Sequence, residues 1–394
     1  MPVPSARRAA LRRRLLAWYD AHRRALPWRF PQRGADPYRV WLAEVMLQQT
    51  QVAAVVPYFE RFVARFPTLE ALSRAREDDV LALWSGLGYY ARARNLRVAA
   101  RAALARHGRL PASLEALRAL PGFGPYTAGA VASIAFAIRA PAVDGNVARV
   151  LARVFLVEGD PAAGAVRERL WALAGALVPE DRPGDLNQAL MELGATVCRK
   201  PTPACARCPI VLHCAAHASG RVAEIPVPRR RRARVALRLA CGVARKDGAI
   251  LLVRAPRGGL FAGLWQLPAA EVGPGADGAL ALRDALRARF GDGAAVGPLV
   301  ARAERVLTHR ALTLEGYACR VPELAKLSDG ARFTPPAEIA TLGVSTAMRA
   351  LLAELDTPAA RLVARRRWAA QGGKGSSRDR ARARARARPP GTGS

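Results

Sequence analysis

Two carboxylates pose the first chemical question. Glu44 lies in "VWLAEVMLQQT" with Trp41, Leu42, Val45, Met46 and Leu47 as neighbours. A carboxyl in such company loses water and its pKa rises, unless it stands on the polar edge of an amphipathic helix. Asp144 lies in "VDGN" between apolar segments, where an acid is costly unless it caps a helix or takes part in chemistry. A helix beginning near Asn146 would give it the first role, and the helix dipole would keep it ionised for the second. One protonated and one ionised carboxyl form the pair that cleaves glycosidic bonds. The first donates a proton and the second stabilises an oxocarbenium-like centre. An N-glycosidic bond to a base is open to the same attack.

A second group of reactive side chains is "CRKPTPACARCPIVLHC", which spaces Cys198, Cys205, Cys208 and Cys214 as C-x6-C-x2-C-x5-C. Four of the six cysteines fall in this short segment, a pattern of metal ligation in a reducing compartment rather than of a disulfide framework. Four thiolates hold zinc or a [4Fe-4S] cluster, and spacing alone leaves both open. His213 is an alternative ligand on the same reasoning.

The third is the glycine turn "LPGFGPYTAGA", residues 120 to 130. A Walker loop needs Gly-Lys-Ser/Thr, and no lysine precedes Lys200; a dinucleotide fingerprint needs a preceding strand, whereas "SLEALRAL" has a helical pattern. What remains is helix, turn and helix, with Pro125 opening the second helix. Backbone N–H groups of Gly122, Phe123 and Gly124 face outward at its positive end. Such a turn is either an ordinary αα-hairpin or a grip on a DNA phosphate that reads no sequence.

These side chains need elements to hold them. At 394 residues the chain has room for two or three domains. Residues 1–224 carry the apolar spacing of packed helices, including one continuous run from Asp36, a candidate N-cap before Pro37, to Pro67, and a short helix capped by Ser113. Residues 225–235 form a basic, proline-bounded linker. Residues 236–355 change to period two and make a smaller α+β domain, opening with two strands paired around an Asp247-Gly248 turn. Residues 356–394 form a basic tail, without any apolar pattern from 371 onward, which is expected to be largely disordered. Lys plus Arg is 62 against 31 Asp plus Glu, a net charge of +31. That excess points to a polyanionic partner, although biased codon usage also enriches arginine. The basic N-terminus is too interrupted for a signal peptide or a membrane span, so an intracellular, cytoplasmic protein is expected.

In this order the pieces resemble the helix-hairpin-helix DNA glycosylases with an iron-sulfur cluster, most closely those of the MutY type. The matching stretches are "LPWR", "VWLAEVMLQQTQV", "GLGYYARARN", "LPGFGPYTAGA", "VDGNVARV" and the cysteine spacing, together covering most of residues 18–220. The resemblance implies hydrolytic removal of adenine mispaired with 8-oxoguanine or guanine in double-stranded DNA, after the base is flipped into a pocket. It implies that Glu44 protonates the adenine and Asp144 stabilises the sugar cation or bonds to it transiently. Tyr126 supports that intermediate and Asn146 places water. Trp28, Arg29 and Glu192 fall where the family lines its adenine pocket; Leu47, Gln49 and Tyr89 fall where it wedges the opened duplex. The four cysteines would hold a [4Fe-4S] cluster, and a monomer is expected.

Bifunctional relatives use a lysine amine and cut the strand. With Tyr126 after the hairpin and no earlier lysine, a monofunctional hydrolase is expected. The C-terminal domain resembles a Nudix fold through "GGLFAGLWQLP". Arg287 and Ala288 stand where a Nudix hydrolase needs metal-binding glutamates, so pyrophosphatase activity is not expected. Lesion recognition falls to Thr308 and His309, with Leu307 where the family has an aromatic residue.

Overall fold

A computed structural model describes residues 3–29, 35–227, 233–307, 309–322 and 330–355. The chain divides into two units, Met1–Arg231 and Arg232–Ser394, with the division inside the expected basic linker. The tail at 356–394 lies outside the described residues.

The first unit is helical: α1 (Ser5–His22), α2 (Pro37–Leu47), α3 (Val52–Arg65), α4 (Leu69–Arg74), α5 (Glu77–Trp84), α6 (Ala91–His107), α7 (Leu114–Arg118), α8 (Pro125–Phe136), α9 (Gly145–Phe155), α10 (Gly164–Leu177), α11 (Pro183–Thr196) and the short α12 (Ala215–Ala218). Side-chain caps set several starts. Asp36 accepts from the N–H groups of Tyr38 and Arg39, Ser113 from Ala116, and Asp144 from Asn146 and Val147. The continuous apolar run from Asp36 to Pro67 is divided between two helices at Gln48–Gln51. Gln49 takes φ 60°, a left-handed conformation that an α-helix cannot contain, and the chain restarts at Val52.

Helix α8 is buried from Thr127 through Ser133, so neighbours cover it on every side. Helix α11 locks against the approach to α9 through Asn187. Its Oδ1 accepts from the Ala142 N–H at 3.2 Å and its Nδ2 donates to Ser133 Oγ and the Ala140 carbonyl, each at 2.8 Å. The same helix passes close to the start of α9 at Gly194. A Cβ there would come within 2.6 Å of Asn146 Cβ, so only glycine permits the approach.

The second unit contains β1 (Val235–Val243), β2 (Arg245–Lys246), β3 (Ala249–Arg254), β4 (Trp265–Gln266), β5 (Ala269–Val272), α13 (Gly278–Phe290), β6 (Ala295–Val306), β7 (Arg310–Arg320), β8 (Ala331–Thr334), α14 (Pro336–Ile339) and α15 (Thr346–Glu354). One sheet has the order β5-β1-β7-β6; in the other β3 pairs with β2, β4 and β8. Leu282, Leu286 and Phe290 of α13 share a core with Ala240, Leu251 and Val253.

The Asp247-Gly248 turn is present, with φ of 49° and 80° at its two residues as a tight hairpin requires. The strand before it is not the expected partner along its length. Only Arg245–Lys246 pairs across the turn, while β1 runs parallel to β7 and antiparallel to β5 in the other sheet.

Candidate active site

The end of α2 and the start of α8 meet at Glu44. Its side chain is almost wholly enclosed, at 6% exposure, and Oε2 accepts the Tyr126 hydroxyl proton at 2.5 Å. Burial is the strongest influence on this carboxyl; together with the nearby Asp144 charge it outweighs the phenol and Arg29 and lifts the pKa to about 7. The phenol's own pKa lies well above its ordinary value, because it is buried beside Glu44 and Asp144. Tyr126 is therefore a proton donor here and not a base.

Asp144 caps α9 and uses both oxygens. Oδ1 accepts from the N–H groups of Asn146 and Val147 at 2.9 and 2.7 Å, and Oδ2 accepts from Asn146 Nδ2 at 2.9 Å. All three partners are donors, which suits a carboxylate. The dipole and these bonds do not bring its pKa below the ordinary aspartate value: burial wins and the shift is upward. Asn146 is held from its other side by Arg149, whose Nη2 donates to Asn146 Oδ1 at 2.7 Å and to the Gly194 carbonyl at 2.8 Å. Arg149 Nε donates to the Cys198 carbonyl at 2.8 Å, so one side chain ties the cap of α9 to the start of the cysteine loop.

A second buried carboxylate, Glu192 on α11, is clamped by two arginines. Arg24 donates from Nε at 2.5 Å and from Nη2 at 3.0 Å, and Arg29 from Nη2 at 3.0 Å. Burial would raise its pKa, but the two guanidiniums prevail and hold it below the ordinary glutamate range. Arg29 also donates to Gln188 Oε1 at 3.1 Å and lies over the Tyr19 ring. The site thus holds three carboxyls in different electrostatic settings.

The glycine turn joins α7 to α8. Gly122 has φ 78°, and Gly122 and Gly124 are exposed. Phe123 plays another part than expected. Its N–H is spent on the Leu120 carbonyl at 3.2 Å, and its buried ring stacks on Trp41, with ring centres 5.2 Å apart. It anchors the turn, leaving the N–H groups of Gly124, Tyr126 and Thr127 at the start of α8, which has no side-chain cap.

Cys198, Cys205, Cys208 and Cys214 line one pocket with Arg153, Val150, Leu193 and Ile210. Arg153 is buried, and its Nη1 donates to Cys198 Sγ at 3.2 Å. The same guanidinium donates to the carbonyls of Ile225 and Arg199 at 2.8 and 3.2 Å. Burial raises the thiols of Cys208, to about 11, and Cys214, so a bound metal must displace their protons. Among the described residues no three His, Cys, Asp or Glu side chains converge as ligands of a single ion. His213 does not line this pocket.

Residues 42–175 match the HhH-GPD superfamily of base excision DNA repair proteins, and residues 240–354 match the NUDIX domain. The adenine DNA glycosylase of Rattus norvegicus is 42% identical in an alignment that covers 67% of this chain and 61% of that protein. The adenine DNA glycosylase of Homo sapiens is 38% identical in an alignment that covers 86% of this chain and 73% of that protein. The chain belongs to the adenine DNA glycosylase family. It spans 49% of the Arabidopsis thaliana relative, to which it is 38% identical.

Within this glycosylase-family chain the remaining expected residues divide. Trp28 is buried edge-on against Phe59, with ring centres 5.2 Å apart, while the neighbouring Arg29 reaches Glu192. Leu47 ends α2 half-buried; Gln49 and Tyr89 are exposed. His309 is exposed in the turn between β6 and β7, where the Leu307 N–H donates to the Arg310 carbonyl at 2.8 Å; Thr308 lies outside the described residues. Arg287 and Ala288 are exposed on α13.

Sequence reasoning missed Arg24, Gln188 and Arg149. For Gln188 a signal existed, since it stands four residues before Glu192 on one helix face. It also missed Lys200. That lysine lines an open cleft of about 380 Å³ together with Asp144, Arg149, Arg167 and Trp171. An absence of lysine upstream therefore does not remove an amine from the neighbourhood of Asp144.

Proposed function

We propose that this protein removes adenine mispaired with 8-oxoguanine or guanine from double-stranded DNA, by hydrolysing the N-glycosidic bond. The observation that carries the reading is the pair of carboxyls at α2 and α9. Glu44 is held near half-protonation at neutral pH beside a phenolic donor, and Asp144 is set in a cage of three donors. Glu44 gives its proton to the departing base, and the Asp144 carboxylate faces the positive charge that develops on the sugar. Tyr126, whose hydroxyl donates to Glu44 Oε2, holds that carboxyl in place and supports the sugar intermediate. Asn146, pinned by Arg149, keeps the Asp144 carboxylate in place and offers its own amide for positioning water.

The Glu192–Arg24–Arg29–Gln188 group supplies donors and acceptors fixed in direction, which suits the edge of a flipped purine. The exposed turn at Gly122 and Gly124, which leads into the uncapped start of α8, is assigned a backbone phosphate. His309, with Thr308, is assigned to the lesion on the opposite strand.

The four cysteines are assigned a [4Fe-4S] cluster. The donor set fits: four thiols share one pocket, and a buried arginine donates to Cys198 Sγ. When bound, the cluster supplies a rigid, electron-accepting cross-link of the loop. Iron and sulfide in the purified protein with a brown colour support it; stoichiometric zinc without visible absorption overturns it. The protein acts as a monomer on DNA, in the compartment that holds the nucleoid.

Base removal without strand cutting is favoured because Tyr126, and not an amine, contacts Glu44. A second reading rests on Lys200 in the Asp144 cleft. After base loss its neutral amine would add to C1′ of the ring-opened sugar and expel water to form an imine, and β-elimination would then release the 3′-phosphate. Incubation with the mispaired duplex separates them. Breaks that need alkali support hydrolysis alone. Breaks without alkali, and a borohydride-trapped adduct lost in Lys200→Ala, support the second.

A further inference from the structure

Two loops with unusual backbone lie side by side on the first unit. Gln49, just past α2, has φ 60°, and Tyr89, just before α6, has φ 49°. Neither is glycine, and both are exposed. A left-handed conformation at side-chain-bearing residues persists only where surrounding contacts over-determine it. Here those contacts come from Arg92 on α6. Its Nη1 donates to the carbonyls of Val45, Met46 and Gln48 at 2.8, 3.0 and 2.7 Å, closing the open C-terminal end of α2. Its Nη2 donates to Thr50 Oγ1 at 3.4 Å and to the carbonyls of Leu87 and Gly88 at 3.3 and 3.2 Å. The guanidinium packs over the rings of Trp84 and Tyr89, and Trp84 Nε1 donates to the same Gly88 carbonyl at 3.1 Å. One planar, five-donor group thus serves both loops at once, a geometry that lysine's single ammonium cannot copy.

The geometry points to Arg92 as the positioning residue that welds residues 47–50 and 87–90 into one prong, presenting Gln49 and Tyr89 together for insertion into duplex DNA around a flipped base. This inference rests on the reading of the protein as a base-flipping glycosylase. Its distinguishing feature is that Arg92 acts on opening the duplex and not on the bond cleavage at Glu44 and Asp144. Burial pushes the guanidinium down to about 10, so it stays charged at neutral pH and keeps Nη1 and Nη2 on the two loops.

The test uses the full chain and two substrates in single turnover: adenine paired with 8-oxoguanine, and the same adenine left unpaired opposite an abasic site. Arg92→Met should slow release from the paired duplex by up to about 100-fold, the scale of a misplaced positioning contact, while release of the unpaired adenine should stay within about twofold. Arg92→Lys, which keeps the charge and most of the packing, should show the same split to a smaller degree and covers the case in which Arg92→Met does not fold. In parallel, 2-aminopurine opposite 8-oxoguanine reports unstacking without cleavage, and its fluorescence rise on binding should be lost in Arg92→Met and reduced in Arg92→Lys. Equal loss on the two substrates, or an unchanged fluorescence rise, would overturn the inference. If the parent protein releases adenine from neither substrate, the glycosylase reading fails, and the fluorescence arm still decides the role of Arg92.

Discussion

Tyr126→Phe separates the two properties that the active site assigns to Glu44. The change removes one hydroxyl and leaves the ring, so α8 keeps its packing. The lost bond is the 2.5 Å contact to Glu44 Oε2. That contact is the largest influence holding the Glu44 pKa down against burial, with about 7 as the balance. A hydrogen bond to a charged group is worth about 1.5–3 kcal/mol, which is about one to two pH units at ~1.4 kcal/mol per unit. Without the phenol, Glu44 should therefore keep its proton to higher pH. The measurement is single-turnover adenine release as a function of pH. The parent rate should fall as pH rises through about 7, as Glu44 loses the proton it must donate. In Tyr126→Phe the maximal rate should drop, and the alkaline limb should move upward by about one to two units.

Stability should follow the same group. Glu44 binds its proton more tightly folded than unfolded, so its contribution is fully present below pH 4.5 and declines as pH rises through about 7. The loss amounts to about 3 kcal/mol, and in the variant it should continue to higher pH. An alkaline limb that stays in place or moves to lower pH would refute the assignment of Glu44 as the acid restrained by Tyr126.

Asp144→Asn should abolish adenine release yet bind mispaired duplex within a few-fold of the parent, because an asparagine oxygen still caps α9; unfolding should shift by no more than about 1 kcal/mol. Glu192→Gln should destabilise the protein by about 3 kcal/mol in denaturant unfolding, since Arg24 and Arg29 lose a shared, 1%-exposed partner. A change in the midpoint too small to detect would show that the clamp is not strained by losing its charge. Cys205→Ser should remove visible absorption and lower both thermal stability and DNA affinity, because the loop it anchors is tied through Arg149 to the cap of α9; a cluster-free variant with parental affinity would contradict this.

Local devices were legible in the sequence. Asp36, Ser113 and Asp144 cap helices because a short polar side chain reaches N–H groups two or three residues ahead, and Asp247-Gly248 turns because both residues tolerate positive φ. The cysteine spacing and the two carboxyls were readable for the same reason: each is a chemical type in a distinctive neighbourhood. What stayed hidden is long-range. Whether Glu44 faces solvent or a pocket depends on Tyr126, 82 residues away. Arg24 finds Glu192 across 168 residues, and nothing in an arginine-rich chain marks it beforehand. Periodicity could not show that β1 pairs in parallel with β7, because a strand's pattern reports its faces and not its neighbours. Lys200 was discounted by its place in the order of the chain, and folding brings it to the cleft that Asp144 lines.

In the proposed reaction a protonated Glu44 and a caged Asp144 together break the bond between adenine and deoxyribose. Its most direct test is single-turnover release of free adenine from an 8-oxoguanine:adenine duplex by the parent protein, Glu44→Gln and Asp144→Asn. Adenine release by the parent is expected, with loss in both variants despite retained duplex binding. Release undiminished in either variant, or a parent that binds the duplex and frees no adenine, would contradict it.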